Sequence, residues 1–148
     1  MRILVTVGTT KFDDLIDCVL ENSHLFKDHI LTMQIGSYSG DISRLPATAT
    51  FFEYTLNMAD YYATTDYVIT HGGSGTILNA LNLNIPILVI PNTKLLHNHQ
   101  LEVVEKLKSL QLIHTCTLKD FRLIDTPLKT RPPKSSSFVS FVNALTNF

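Results

Sequence analysis

One stretch of the chain constrains the fold more than any other. Residues 66–100 have the sequence DYVITHGGSGTILNALNLNIPILVIPNTKLLHNHQ. A short apolar strand over 66–70 runs into a Gly-Gly-Ser-Gly turn, which runs into a helix with an apolar face. Such a turn leaves backbone N–H groups free at the start of the helix, where the dipole also favours an anion. The stretch therefore predicts a phosphate site, although a glycine turn can also serve only to reverse the chain.

Strand and helix patterns alternate along the rest of the chain. The β-branched run that ends at Gly8 suits a strand buried on both faces, and Thr10 and Asp13 have the spacing of a cap for the helix that follows. The predicted strands cover residues 2–7, 29–35, 50–54, 66–70, 86–90 and 111–115. This order predicts an α/β fold with a Rossmann-like, doubly wound, mostly parallel sheet flanked by helices.

The composition changes after residue 124. The segment DTPLKTRPPKSSS, at 125–137, is rich in proline, lysine and serine, which indicates an exposed connector. The apolar residues that follow it recur with helical spacing: Phe138, Phe141, Val142 and Leu145. We therefore predict a Rossmann-like domain over 1–124 and a connector with a C-terminal amphipathic helix over 125–148. That helix either docks on the domain or grips a partner.

Charge and cysteine content exclude several kinds of partner. A net charge of −1 over 148 residues offers no electrostatic footprint for nucleic acid or an anionic membrane. The apolar runs fall far below membrane-spanning length, so we expect membrane contact only through a partner. Cys18 and Cys116 sit in apolar segments, which favours buried thiols in a reducing, cytoplasmic setting over a disulfide or a metal site.

Several familiar chemistries lack their residues. The glycine turn is followed by Thr76 and not by the lysine of a nucleoside triphosphatase loop, and the first turn has only Gly8 where dinucleotide folds require three glycines. His97 and His99 are two residues apart and do not face each other on a helix, so we expect no metal site. Ser74 lies in H-G-G-S-G and not in the nucleophile elbow G-x-S-x-G.

Two polar groups remain after these exclusions. Backbone amides at 72–76 suit a diphosphate, and Asn98, His99 and Gln100 follow the next strand, where their side chains suit sugar hydroxyls. In a doubly wound sheet both groups lie at the carboxyl ends of adjacent strands, where ligands bind. A nucleotide sugar carries both a diphosphate and sugar hydroxyls, so it is a ligand that could bind to both groups. His71, beside the turn, is either a core-facing histidine or a functional one.

Three segments together resemble a known family. VTVGTTKFDDLI, HGGSGTILNAL and NHQLEVVEKL are similar, in the same order, to motifs of the catalytic subunits of eukaryotic two-chain UDP-GlcNAc transferases, which add the second GlcNAc to dolichol-diphosphate-GlcNAc. The similarity covers roughly residues 1–115. It extends more loosely to the C-terminal half of glycosyltransferase family 28, which includes the bacterial lipid II synthase, and to two-chain bacterial polysaccharide transferases.

The resemblance assigns expected roles to residues. It implies that the diphosphate is held by Gly72, Gly73, Ser74, Gly75 and Thr76, the donor sugar by His99 and Gln100, and the uracil by the backbone of Tyr54, Thr55 and Leu56. Thr9 and Thr10 match the family's first loop, near the reacting diphosphate, and His71 is a candidate general base. Asn79 occupies a position where the family usually carries a carboxylate for the ribose hydroxyls, so donor affinity or nucleotide preference can differ here.

The resemblance also implies how the enzyme works. It implies half of a GT-B enzyme, inverting and independent of metals or other cofactors, with UDP-GlcNAc as donor and dolichol-diphosphate-GlcNAc as acceptor. A membrane-anchored, acceptor-binding subunit would complete the enzyme and recruit this cytoplasmic chain to the cytosolic face of the endoplasmic reticulum. Two alternatives stay open: a subunit of a bacterial-type two-chain polysaccharide glycosyltransferase, and a non-catalytic nucleotide-sugar-binding paralogue.

Overall fold

A computed structural model of the chain describes residues 1–94 and 98–128, with the backbone alone at 98–100. The strands are β1 (Arg2–Thr6), β2 (Ile30–Gln34), β3 (Thr50–Phe52), β4 (Tyr67–Thr70), β5 (Ile87–Val89) and β6 (His114–Thr115). The helices are α1 (Asp13–Glu21), α2 (Met58–Ala63), α3 (Ser74–Asn82) and α4 (Asn98–Ser109), with a short 3-10 helix at Ser23–Phe26. The predicted helix over 138–145 lies outside the described residues.

The six strands form one sheet in the order β3-β2-β1-β4-β5-β6, and every neighbouring pair is parallel. The predicted doubly wound α/β fold is confirmed. The order reverses between β1 and β4, and in sheets of this kind a ligand crevice opens at that point, outside the carboxyl ends of the strands. The loops after β1 and β4 are therefore the ones that flank the crevice.

Both faces of the sheet are buried, which explains why its strands are continuously apolar. Side chains of β1 alternate between the faces: Val5 packs with α1 residues such as Ile16, and Leu4 packs with α3 and α4 residues such as Ile77 and Leu107. Each of these buried side chains stabilises the fold by about 1.5–3 kcal/mol relative to exposure. The helices thereby fix the strand ends that carry the crevice.

The structure corrects the predicted start of the first helix. Thr10 and Asp13 do not form a cap, because α1 begins at Asp13 and its N-cap residue is Phe12, which makes no side-chain capping bond. The Thr10 N–H instead donates to the carbonyl oxygen of Val7 at 3.3 Å. Thr10, which we expected to start the helix, is therefore part of a turn at the end of β1. The acidic residues in the first turn of α1 stabilise the helix through its dipole.

The predicted last strand is too long at its start. Strand β6 covers His114–Thr115 and not 111–115. Gln111 has a φ of 58°, a left-handed conformation that ends the turn after α4 and is incompatible with a strand. The predicted third strand is likewise too long, because β3 ends at Phe52. Within the described residues, no helix is long and apolar enough to cross a membrane.

Candidate functional site

A cavity of about 430 Å³ opens at the carboxyl ends of the strands, where the order reverses. This volume falls in the range of about 300–1,000 Å³ typical of small-molecule sites. The loops after β1, β3 and β4, together with α2 and α3, form its walls. Its lining residues are Thr6, Gly8, Thr9, Thr10, Gln34, Tyr54, Thr55, Met58, Tyr62, His71, Gly73, Ser74, Gly75, Thr76 and Asn79.

The start of α3 forms one wall of this cavity. Its N-cap is Gly73, and the first bond of the helix runs from the Ile77 N–H to the Gly73 carbonyl oxygen at 3.2 Å. Among the described residues, the N–H groups of Ser74, Gly75 and Thr76 find no backbone acceptor. Unpaired amides at a helix N-terminus bind anions, because the helix dipole adds to their partial positive charges.

His71 lies at the base of this wall and is buried. Burial lowers the pKa of the imidazole below its ordinary value of 6.5, and a hydrogen bond with the backbone of Thr6 acts in the opposite direction. The ring is therefore neutral at pH 7. His71 is also among the residues that line the cavity, so the neutral ring borders the space that a ligand would occupy.

Two glycines enclose the His71 ring. A Cβ atom added at Gly73 would lie 2.7 Å from His71 Nε2, and one added at Gly8 would lie 3.1 Å from Cε1. Gly8 also has a φ of 62°, which favours glycine there on conformational grounds. The loops after β1 and β4 thus approach each other across the imidazole. These glycines leave room for the histidine, in addition to shaping the anion-binding turn.

The opposite wall comes from the loop after β3 and from α2. The rings of Phe52 and Tyr61 stack with centroids 4.3 Å apart, which fixes α2 against the edge of the sheet. The next residue, Tyr62, is buried, and this burial raises its pKa, while side-chain hydrogen bonding with Thr76 and Asn79 acts in the opposite direction. Tyr62 of α2 therefore lies beside Thr76 and Asn79 of α3, and all three residues line the cavity.

The structure brings most of the predicted site residues together. Those that line the cavity are Thr9, Thr10, Tyr54, Thr55, His71, Gly73, Ser74, Gly75, Thr76 and Asn79. Gly72 and Leu56 are not among its lining residues: Gly72 is buried, and Leu56 is fully exposed. Asn98, His99 and Gln100 form the start of α4, and their side chains lie outside the described part of the chain.

Sequence reasoning missed five lining residues: Thr6, Gly8, Gln34, Met58 and Tyr62. A signal existed for two of them, because Thr6 and Gln34 are polar residues that end apolar strands, and parallel strands end at the crevice. No such signal existed for Tyr62, which has the pattern of an ordinary helix residue. Its place in the site depends on the packing of α2.

The described residues contain no group of three or more His, Cys, Asp or Glu side chains that could hold a metal ion. The expectation that no metal is needed stays a prediction. Cys18 and Cys116 are both buried free thiols, which confirms the predicted state of the cysteines.

Comparisons with known proteins agree with this geometry. The model of the glycosyltransferase family 28 C-terminal domain matches residues 2–139. The UDP-N-acetylglucosamine transferase subunit ALG13 of Homo sapiens is 35% identical over 127 residues, a match that covers 79% of this chain and 11% of that protein. The protein of the same name from Yarrowia lipolytica is 32% identical over 130 residues, covering 72% of this chain and 60% of that one.

Solved structures share the fold. An NMR structure of ALG13 aligns with a TM-score of 0.56 at 22% identity, covering 78% of this chain and 77% of that one. The MurG protein of Acinetobacter baumannii aligns with a TM-score of 0.67 at 17% identity, covering 82% of this chain and 37% of that one. The family model spans most of the sequence, and the chain therefore belongs to the glycosyltransferase family 28 C-terminal domain family.

Proposed function

We propose that the chain binds UDP-GlcNAc and is the catalytic subunit of an inverting N-acetylglucosaminyltransferase. The observation that carries this proposal is the cavity in which the free amides of α3 face His71 and the loop with Thr9 and Thr10. The relatives named as UDP-N-acetylglucosamine transferase subunits support the choice of donor. The acceptor in this proposal is dolichol-diphosphate-GlcNAc, an intermediate of N-glycan precursor assembly.

In the proposed reaction, a hydroxyl of the acceptor displaces UDP from the anomeric carbon in one step. Negative charge develops on the leaving diphosphate, and the Ser74, Gly75 and Thr76 amides lie where they would stabilise it without a metal ion. Fixed donors of this kind need no reorganisation during the reaction, and removing one such donor typically costs about 10²–10³-fold in rate. The N-terminus of α3 therefore supplies the main electrostatic contribution in this proposal.

His71 is the proposed general base. A base must be unprotonated at working pH and within reach of the reacting hydroxyl. Burial keeps the ring neutral, and the ring lines the cavity. Thr9 and Thr10 line the same cavity, where their hydroxyl groups can bond the reacting diphosphate.

We further propose that activity requires a second, membrane-anchored subunit that binds the acceptor. The word "subunit" in the relatives' names supports an assembly. A membrane contact made only by that partner would recruit this chain to the cytosolic face of the endoplasmic reticulum.

A transfer assay tests the proposal. Purified chain is mixed with UDP-GlcNAc and a dolichol-diphosphate-GlcNAc analogue, with and without membranes that carry the candidate acceptor subunit. We expect disaccharide product only when both proteins are present. A His71→Gln variant should lower the rate about 100-fold or more. Full turnover by the chain alone would contradict the proposed partner, and product from UDP-glucuronate but not from UDP-GlcNAc would favour the bacterial-type polysaccharide enzyme.

One observation favours a second candidate, a non-catalytic nucleotide-sugar-binding paralogue. Asn79 lines the cavity. The family resemblance implies a carboxylate for the ribose hydroxyls at this position, and the amide of Asn79 would contact the ligand differently. This candidate predicts UDP-GlcNAc binding without transfer under any partner condition. Transfer with a partner subunit would exclude it.

A further inference from the structure

A row of three polar side chains crosses the carboxyl end of the sheet. Thr6 of β1 stands in register with Gln34 of β2 on one side and with Thr70 of β4 on the other. All three side chains are buried, although each ends a strand that is otherwise largely apolar. Buried polar groups are costly unless they are bonded, so each member of the row requires a partner.

Hydrogen bonds fix the side-chain amide of Gln34 in one orientation. The Gly8 N–H donates to the Thr6 hydroxyl oxygen at 3.1 Å, and the Thr6 hydroxyl donates its own proton to Gln34 Oε1. The opposite orientation of the amide would leave the Thr6 proton without this acceptor. The carbonyl oxygen of the amide therefore faces Thr6, and the NH₂ group is the free end.

The free NH₂ group of Gln34 is available to a ligand. Gln34 is 4% exposed and lines the cavity. Among the described residues, the NH₂ group has no hydrogen-bond acceptor. Its nitrogen is nevertheless not a buried atom without a partner, because the described residues contain one such side-chain atom, Asp13 Oδ1. The Gln34 NH₂ group therefore faces the open space of the cavity. It presents two neutral donors there, held rigid by Thr6.

The position of Gln34 along the sheet indicates which part of a ligand it contacts. Strands lie about 4.8 Å apart, so the end of β2 is roughly 10 Å from the end of β4, where the anion-binding turn begins. That displacement is toward β3, whose following loop places Tyr54 and Thr55 in the cavity. The residues expected to hold the sugar follow β5, on the other side of the turn.

We infer that Gln34 donates a hydrogen bond to an oxygen of the nucleoside part of the ligand, with Thr6 as the residue that positions it. This inference rests on the proposed function. The acceptor is either a carbonyl oxygen of the pyrimidine or a hydroxyl of the ribose. A donor is the suitable group there, because both kinds of oxygen accept hydrogen bonds.

The test is calorimetric titration of the native chain and a Gln34→Met variant with UDP and with UDP-GlcNAc. Methionine keeps the length of the side chain and removes the amide. Loss of one neutral hydrogen bond should weaken the binding of both ligands about 5-fold, and to the same extent, since both carry the nucleoside. A titration with 2′-deoxy-UDP identifies the 2′-hydroxyl: the loss disappears if Gln34 bonds that hydroxyl, and it persists if Gln34 bonds the 3′-hydroxyl or a pyrimidine oxygen.

Two further variants keep the test valid. Thr6→Val combined with Gln34→Met removes both members of the buried bond and leaves only the Gly8 N–H without its acceptor, so it serves if the single variant does not fold. Thr32→Val is the matched control, because Thr32 lies on the same strand, bonds Thr50 and is not among the cavity's lining residues. Its ligand affinity should equal that of the native chain.

The outcomes distinguish this inference from the function it rests on. A native chain that binds neither ligand would overturn the proposed function and the inference together. A native chain that binds UDP, with a folded Gln34→Met variant that binds it equally well, would overturn the inference alone. A loss confined to UDP-GlcNAc would place Gln34 at the sugar and would also overturn the inference.

Discussion

The Thr70 hydroxyl oxygen lies 3.3 Å from Nδ1 of His71 and 2.9 Å from the carbonyl oxygen of Thr6. The carbonyl can only accept, so it takes the one hydroxyl proton of Thr70. Nδ1 must therefore be the donor in its contact with Thr70, which places the proton of the neutral ring on Nδ1 and the lone pair on Nε2. Strand β4 thus determines which nitrogen of His71 can accept a proton.

The first prediction concerns stability and pH. The pKa of His71 is lowered in the folded chain by burial, so below pH 6.5 the unfolded chain takes up a proton that the folded chain does not. The free energy of unfolding should therefore fall as the pH decreases from about 6.5 toward the lowered value. Thermal unfolding between about pH 5 and pH 8 measures this, and His71→Gln should reduce the slope.

The second prediction separates two glycines of the same turn. In Gly73→Ala the added methyl group would lie 2.7 Å from His71 Nε2 and must displace the ring, whereas at Gly75 it would meet no atom within 4 Å. Gly73→Ala should lower the free energy of unfolding by about 1–3 kcal/mol. Gly75→Ala should preserve or slightly raise it, because alanine favours a helix by about 1 kcal/mol over glycine. Urea unfolding compares the pair, and equal stabilities would show that His71 is not confined as described.

The third prediction concerns the departure at position 79. Asn79 faces the cavity on α3, one turn beyond the free amides. Asn79→Glu introduces a carboxylate, which accepts hydrogen bonds from ribose hydroxyls more strongly than an amide does. We expect UDP to bind about 3- to 10-fold more tightly to this variant in calorimetry. Asn79→Leu is the companion variant and should weaken binding. If the glutamate variant bound less tightly than the native chain, the ribose would lie elsewhere.

The fourth prediction concerns the two thiols. Burial raises the pKa of Cys18 from 9.0 to about 11, with a further increase from the neighbouring Cys116, whose own pKa burial also raises. Thiols react as thiolates, so both cysteines of the native chain should resist iodoacetamide at about pH 8. Mass spectrometry should show two modifications only after denaturation. Rapid modification of the native chain would contradict the burial of these thiols.

The glycine turn, the alternation of strands and helices, and the loop with Thr9 could be predicted because each signal is local. Glycine, a short apolar strand and a helix start are adjacent in the sequence, and parallel connectivity brings their ends to one edge. The cap at Thr10 was predicted wrongly because the Thr10 N–H donates to the carbonyl oxygen of Val7, and this bond makes Thr10 part of a turn. The local sequence pattern does not show whether a helix cap or a turn forms at such a position, because either one satisfies backbone hydrogen-bonding groups there.

The roles of Gln34 and Tyr62 within the site could not be predicted from the sequence, for a different reason. Gln34 acquires its role through the register of β2 with β1, which sets Thr6 beside it. Tyr62 acquires its role through the stacking of its neighbour Tyr61 on Phe52, which orients α2. These relationships join residues that are distant in sequence. Tertiary packing, and not the local pattern, decides them.

The most direct test of the central claim is titration calorimetry of the purified chain with UDP-GlcNAc in a buffer that contains a chelator of divalent cations. We expect one site per chain, with a dissociation constant of about 1 mM or below. The same site should bind UDP, and excess UDP should abolish the UDP-GlcNAc signal. Absence of binding at about 5 mM ligand, or binding only after a divalent cation is added, would contradict an anion site built from the amides of α3.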